Sequence, residues 1–135
     1  MSIHLAYFHI IWSTRKREPL LSAQKEEAVF RCAMATVKKL SHEVIAINGT
    51  ADHVHMLVKC GPVIDMPVLM KQVKGVTSTL VNDMPDRVTL FRWQEGYCSL
   101  TVTPSHVPRI SEYVQNQKDH HRANTLHAAW EQIDE

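Results

Sequence analysis

Glu43-Val44-Ile45-Ala46-Ile47-Asn48-Gly49-Thr50-Ala51-Asp52-His53-Val54-His55-Met56-Leu57-Val58-Lys59 decides how this chain is built. Two short apolar-rich runs, Glu43 to Asn48 and His53 to Lys59, flank the turn signal Gly49 to Asp52 and read as an antiparallel hairpin. Alternation in the second strand puts His53, His55 and Leu57 on one face and Val54, Met56 and Val58 on the other. Two imidazoles then stand side by side behind a hydrophobic anchor. Neutral imidazole nitrogens are common ligands of divalent metals, and a pair leaves coordination positions open for a third ligand and a substrate. By itself the pattern more often marks two partly exposed histidines on an ordinary strand.

The rest of the chain is read outward from that hairpin. Leu5 to Trp12 is a first strand whose near-continuous apolar character suits a central place in a sheet. Pro19 closes the following loop, and Ser22 caps a helix to about Leu40 with Val29, Ala33, Val37 and Leu40 near one face. Gly61-Pro62 ends the hairpin. Asp65 caps a second helix with Pro67 in its first turn and Met66, Leu69, Met70, Val73 and Leu80 as the buried stripe. Met84-Pro85-Asp86 breaks the chain before a strand Val88 to Trp93, and Gln94-Glu95-Gly96 turns into a further strand, Tyr97 to Thr103. A last helix starts near Ser105, with Pro108 in its first turn, and runs to about Arg122, leaving His127 to Glu135 as a final turn or frayed tail. The order β α β β α β β α predicts an α+β domain with an antiparallel sheet.

The last helix carries the second chemical signal, Ile110-Ser111-Glu112-Tyr113-Val114-Gln115-Asn116-Gln117-Lys118-Asp119-His120-His121. Tyr113 and Gln117 lie one above the other on one helical face, and His120 continues it. A phenol and an amide oxygen are presented together. Tyrosine is a poor nucleophile at its usual pKa of about 10, but a metal that polarises a phosphodiester makes its attack feasible. Alone, Tyr-x-x-x-Gln is an aromatic residue beside a polar one; joined to the histidine pair it suggests nucleic-acid strand transfer.

Composition sets bounds. At 135 residues and 44% hydrophobic, the chain makes one domain, 1–135, with a single core and no room for a second catalytic module. Cys32, Cys60 and Cys98 are widely spaced and lack a Cys-x-x-Cys pattern, which suggests reduced thiols in a cytoplasmic protein. No stretch approaches the roughly 20 apolar residues of a membrane span. Net charge is only +1, so nucleic-acid binding would have to come from local patches. The candidates are Arg15-Lys16-Arg17, Lys71 with Lys74, and Arg87 with Arg92. Each could equally be a solvated face.

Taken together, these motifs resemble the single-tyrosine HUH transposases of small bacterial insertion sequences, the TnpA type that moves single-stranded DNA. His53-Val54-His55 matches the HUH element, and Tyr113 to Gln117 followed by His120-His121 matches the tyrosine helix. Trp93-Gln94-Glu95-Gly96-Tyr97 and Trp12-Ser13-Thr14-Arg15-Lys16-Arg17 also resemble the family pattern, and the matches run in family order from about residue 4 to about residue 122. The resemblance implies a ferredoxin-like sheet with helices on one face and a C-terminal tyrosine-bearing helix. It implies His53, His55 and Gln117 as ligands of magnesium or manganese, and Tyr113 as the nucleophile. Attack would form a 5′-phosphotyrosine and free a 3′-hydroxyl, with hairpin-bearing single-stranded DNA as substrate. It also implies a homodimer in which each tyrosine helix serves the partner's histidine pair.

Other readings share some of these features. A host-domesticated nuclease acting on repeated palindromes would keep the same site. A non-catalytic single-stranded nucleic-acid module would stack bases on Tyr7, Phe8 or Trp12 and would have no use for Tyr113 with Gln117. Phosphoesterases of the 2H or histidine-triad type need a further histidine motif that His120-His121 does not supply.

Overall fold

A computed structural model describes residues 2–85 and 89–132. Four strands, β1 (Ala6–Ser13), β2 (Glu43–Thr50), β3 (His53–Cys60) and β4 (Cys98–Val102), form an antiparallel sheet in the order β2-β3-β1-β4. Helices α1 (Ala23–Lys39) and α2 (Met66–Asn82) follow β1 and β3, and α3 (Val107–Gln115) and α4 (Gln117–Ala123) close the chain. The architecture is the α+β sheet that the strand and helix signals called for.

The β2–β3 hairpin forms as expected, with Asn48 opposite His55 and Thr50 opposite His53. Gly49 is required by a close approach: a Cβ there would lie 2.1 Å from the carbonyl oxygen of His53. β2 bulges between Val44 and Ala46. β1 is central, flanked by β3 and β4, which accounts for its apolar run.

The sheet has two differently used faces. On one, Ile10, Trp12, Val54, Met56 and Val58 pack with Val29, Ala33 and Val37 of α1 and Leu69, Met70 and Val73 of α2. Both helices are capped as read: the Ser22 side chain accepts from Lys25 N, and Asp65 from Val68 N. The α2 stripe ends differently, however, with Thr77 and Val81 buried and Leu80 exposed. A hydroxyl is tolerated inside because Thr77 Oγ1 donates to Val73 O and accepts from Trp93 Nε1. The opposite face carries a smaller cluster, Ala46 and Leu57 against Ile110 and Val114 of α3. Leu57 is thus the anchor behind the histidine pair.

The predicted strand Val88 to Trp93 does not form over its described residues, and Arg87 and Val88 lie outside them. β3 and β4 occupy both edges of β1, leaving only its end to pair, where Thr14 bridges Trp93. Side-chain bonds replace the missing ladder: Asn82 accepts from Phe91 N and donates to Phe91 O. The last helix is also two helices, broken at Asn116, whose ψ of 18° leaves the helical range. β2 fixes that break, since Asn48 Nδ2 donates to Gln115 O at 2.7 Å and Lys118 Nζ donates to Asn48 Oδ1 and Gly49 O. No helix among the described residues is long and apolar enough to cross a membrane.

Candidate active site

His53 and His55 share the α3 side of the sheet and are both fully buried. Each is held from behind through Nδ1, which leaves Nε2 free to face the site. His53 Nδ1 lies 2.7 Å from Asp52 Oδ1 and 2.9 Å from Thr50 Oγ1, whereas His55 Nδ1 lies 2.8 Å from Nε2 of a third buried imidazole, His9. The bond from His53 holds Asp52 down at about 2. Burial, and then the neighbouring His55, pushes His9 down to about 3. Burial likewise lowers His55, while for His53 the bonds to Asp52 and Glu131 outweigh burial and the net direction is upward.

The tyrosine helix meets this pair within one chain. Tyr113 is buried, its ring 6.2 Å from that of His55, and Gln117 follows one turn later, fully buried. Despite the break at Asn116, the tyrosine and the amide stay on one side, as residues four apart do in an unbroken helix. His120 stacks on the Tyr113 ring rather than entering the cluster, and His121 is the histidine that enters it, with Nε2 3.1 Å from His53 Nε2. The resemblance implied helices exchanged between protomers; the single chain already brings its own tyrosine and histidine pair together.

The tail expected to be a final turn or a frayed end forms the turn, and it supplies the centre of the site. Residues 128–130 form one short 3-10 turn, Trp130 packs edge-on against Tyr113 at 4.9 Å, and Arg109 lies over the Trp130 ring. That anchor delivers Glu131, whose Oε1 lies 3.2 Å from His55 Nε2, 3.6 Å from His53 Nε2 and 3.4 Å from His121 Nε2. Its Oε2 accepts from the Tyr113 hydroxyl, and Gln117 Nε2 donates to both oxygens. Burial alone would raise the Glu131 pKa, but the bonds from His53, His55 and Tyr113 hold it well below the usual carboxylate range. Burial, and then Glu131, pushes the Tyr113 phenol up.

The donor set fits a divalent cation. Ligand atoms of His53, His55 and Glu131 all lie within 4.8 Å of one another. Gln117 presents its Nε2 to Glu131, and among the described residues its buried Oε1 has no hydrogen-bond partner, which leaves that oxygen available to a cation after a flip of the amide. Two imidazoles with a carboxylate or amide oxygen suit a hard or borderline metal.

Beside this centre, Ser13 pairs with His53 across the strands and lines a cleft of about 770 Å³. Arg15, Lys16, Arg92, Trp93 and Gln94 also line it, so two of the basic patches converge there. Lys16 and Arg17 both have φ near +55°, which turns this basic segment sharply, and Arg17 pairs with Asp52 at 3.5 Å. The other candidates go elsewhere. Lys74 Nζ donates to the carbonyls of Gln94 and Gly96, and burial lowers its pKa to about 8, so it pins the loop. Lys71 lines a separate groove on α2, and Arg87 lies outside the described residues. Trp12, a candidate for base stacking, is wholly buried.

A family model described as "Transposase IS200 like" matches residues 2–117. The chain belongs to that family. The ISDra2 transposase TnpA of Deinococcus radiodurans is 24% identical over 117 residues, covering 83% of this chain and 84% of the relative. Among solved structures, a protein of Deinococcus radiodurans R1 assigned as a transposase superposes with a TM-score of 0.66 at 23% identity, covering 86% of this chain and 93% of the other. A REP-associated tyrosine transposase bound to a REP hairpin superposes with a TM-score of 0.68 at 13% identity, covering 90% and 71%. At those identities the two structures speak for the shared fold. The family match spans His53, His55, Tyr113 and Gln117 but stops short of His121 and Glu131.

Of the groups in this IS200-like transposase site, the sequence reading missed His9, Glu131 and the use of His121. The signal for His121 was present, since 113, 117 and 121 are spaced by four. His9 shares a strand face with Ile11 and Ser13, but nothing in its own segment marked it. Glu131 had no local signal beyond the aromatic residue before it.

Proposed function

We propose that the protein is a metal-dependent single-stranded DNA transposase that acts in the cytoplasm and cleaves and rejoins hairpin-bearing ends through a 5′-phosphotyrosine. The observation that carries this reading is the convergence, in one buried cluster, of the Tyr113 hydroxyl with the His53–His55 pair by way of Glu131.

His53 and His55 through Nε2, Gln117 through Oε1 and a Glu131 oxygen would hold magnesium or manganese. When bound, such an ion supplies Lewis-acid polarisation of the scissile phosphate and a template for in-line attack. The chain's own groups do the rest. Glu131 Oε2 accepts from Tyr113 and aims its oxygen toward the histidine pair, while the raised phenol pKa keeps the nucleophile protonated at rest. Attack by Tyr113 Oη on the phosphorus forms the phosphotyrosine ester and releases a 3′-hydroxyl. That ester keeps the bond energy, and attack by a 3′-hydroxyl reverses the step at a new junction. The cleft lined by Arg15, Lys16 and Arg92, with Arg17 at its turn, would carry the flanking phosphates, where such contacts position the strand without reading sequence.

The family membership supports DNA as substrate, and the likeness to a transposase bound to a REP hairpin supports a hairpin as the element held by shape. That likeness also favours action at repeated palindromes as a second reading with the same chemistry. One test serves both. Labelled single-stranded hairpin ends should give a covalent protein–DNA adduct with the wild type and none with Tyr113→Phe, while hairpin binding stays within about threefold because only the nucleophilic oxygen is lost. An adduct that persists in Tyr113→Phe would refute the assignment.

A further inference from the structure

We propose that His9 is a positioning residue that fixes the tautomer of His55 by accepting a hydrogen bond on its far side. The inference rests on the metal reading above and deepens it.

The geometry is set by register. His9 on β1 pairs with Leu57 and His55 pairs with Ile11, so the two histidines are diagonal neighbours on one face. Their rings lie 5.1 Å apart, and His9 Nε2 is 2.8 Å from His55 Nδ1, with both residues fully buried. His55 Nε2 is the nitrogen that faces the cluster. For that atom to offer a lone pair to a cation, the single proton of a neutral imidazole must sit on Nδ1. Nδ1–H then donates to His9 Nε2, and His9 must carry its own proton on Nδ1.

Among the described residues His9 Nδ1 has no hydrogen-bond partner, although the ring is fully buried. A purely structural residue would have no reason to leave a buried ring nitrogen unsatisfied, and an apolar side chain of similar size would fill the space without it. His53 has the ordinary arrangement for a metal-binding histidine, a carboxylate behind Nδ1. His55 has an imidazole in the same place. Each ligand therefore has a backing acceptor, and the second is supplied by the neighbouring strand.

The test uses the full chain. Manganese affinity is measured for the wild type, for His9→Leu, which removes the acceptor, and for His9→Gln, whose amide oxygen replaces Nε2. Thermal melting follows each variant. His9→Leu exchanges one unpaired buried nitrogen for another, so its Tm should stay near that of the wild type while manganese binds at least about tenfold more weakly. His9→Gln should restore affinity to within about threefold, a rescue that mere space-filling would not give. Independently of any substitution, nitrogen-15 NMR of the magnesium-loaded wild type should show His55 and His9 both protonated on Nδ1. A His9 proton on Nε2 in that state, or a folded His9→Leu that binds manganese like the wild type, overturns the inference and leaves the metal reading standing. A wild type that binds neither ion overturns the metal reading and this inference with it.

Discussion

Glu131→Gln separates a carboxylate that would ligate the proposed metal from one that merely covers the histidine pair. The substitution keeps the shape and deletes one charge from a side chain that is 13% exposed and touches His53, His55, His121, Tyr113 and Gln117. Without metal, the amide oxygen can still accept one bond from Tyr113 or Gln117, but the charge that the imidazoles face is gone, so at least one charge-assisted bond is lost, worth roughly 2 kcal/mol or more. For a chain of this length that is a fall in Tm of roughly 6–10 °C. Above the ordinary carboxylate range the gap should be constant. Because the folded pKa of Glu131 is depressed, its stabilisation is present above the unfolded value of 4.5 and fades as the solution is made more acidic. Isothermal titration with manganese should show an affinity at least about tenfold lower, since an anionic oxygen ligand has become a neutral one. Cleavage should fall in parallel and recover partly at saturating metal. Unchanged affinity together with faster cleavage would refute the reasoning, because Glu131 would then be a plug that competes with the substrate phosphate.

His53→Ala or His55→Ala should abolish cleavage and manganese binding alike. Gln117→Ala should cost less, about tenfold in affinity, because a water can replace its oxygen, and chelation with EDTA should mimic the histidine variants in the same gel assay. A mixture of His53→Ala and Tyr113→Phe proteins should stay inactive, since one chain brings its own tyrosine and histidines together. Recovered cleavage on mixing would place the tyrosine helix in the partner's site. Asp52→Asn should destabilise by about 1–2 kcal/mol at neutral pH, given that His53 lowers the Asp52 pKa from 3.8 to about 2. That stabilisation is present above the unfolded value and lost as pH falls through the folded one, so urea unfolding should show the gap closing below pH 4.

The hairpin, both helix caps and the shared face of His53, His55 and Leu57 were legible because each rests on local rules: alternation, turn residues and N-cap chemistry. Tyr113 and Gln117 were legible as a pair for the same reason. What escaped depended on partners distant in sequence. The run up to Trp93 has strand-like residues, but whether it becomes a strand depends on a free edge, and β4 had already taken the one beside β1. Leu80 and Val81 compete for the same stripe, and the hydroxyl of Thr77 is acceptable inside only because Trp93 donates to it. The break at Asn116 follows from Asn48 and Lys118 gripping the helix end, which no helical periodicity reports. His9 reads as one more residue of an apolar strand until the register sets it diagonal to His55.

Glu131 is the clearest case, and it bears on how the site can be buried at all. Two fully buried imidazoles, a phenol and the Gln117 amide N–H make an expensive surface to remove from water. α3 covers part of it with Ile110 and Val114, but those side chains satisfy no polar group. The tail does so, and its anchoring is apolar and aromatic: Trp130 against Tyr113, His127 stacked on Trp130, and Arg109 over the same ring. The carboxylate is thereby presented to three imidazoles and the Tyr113 hydroxyl at once. A cation of charge two among these groups would be half neutralised by Glu131, leaving one positive charge for the single negative charge of a phosphodiester. The same tail that closes the polar face of the sheet thus sets the charge balance at the point where a DNA strand would be cut.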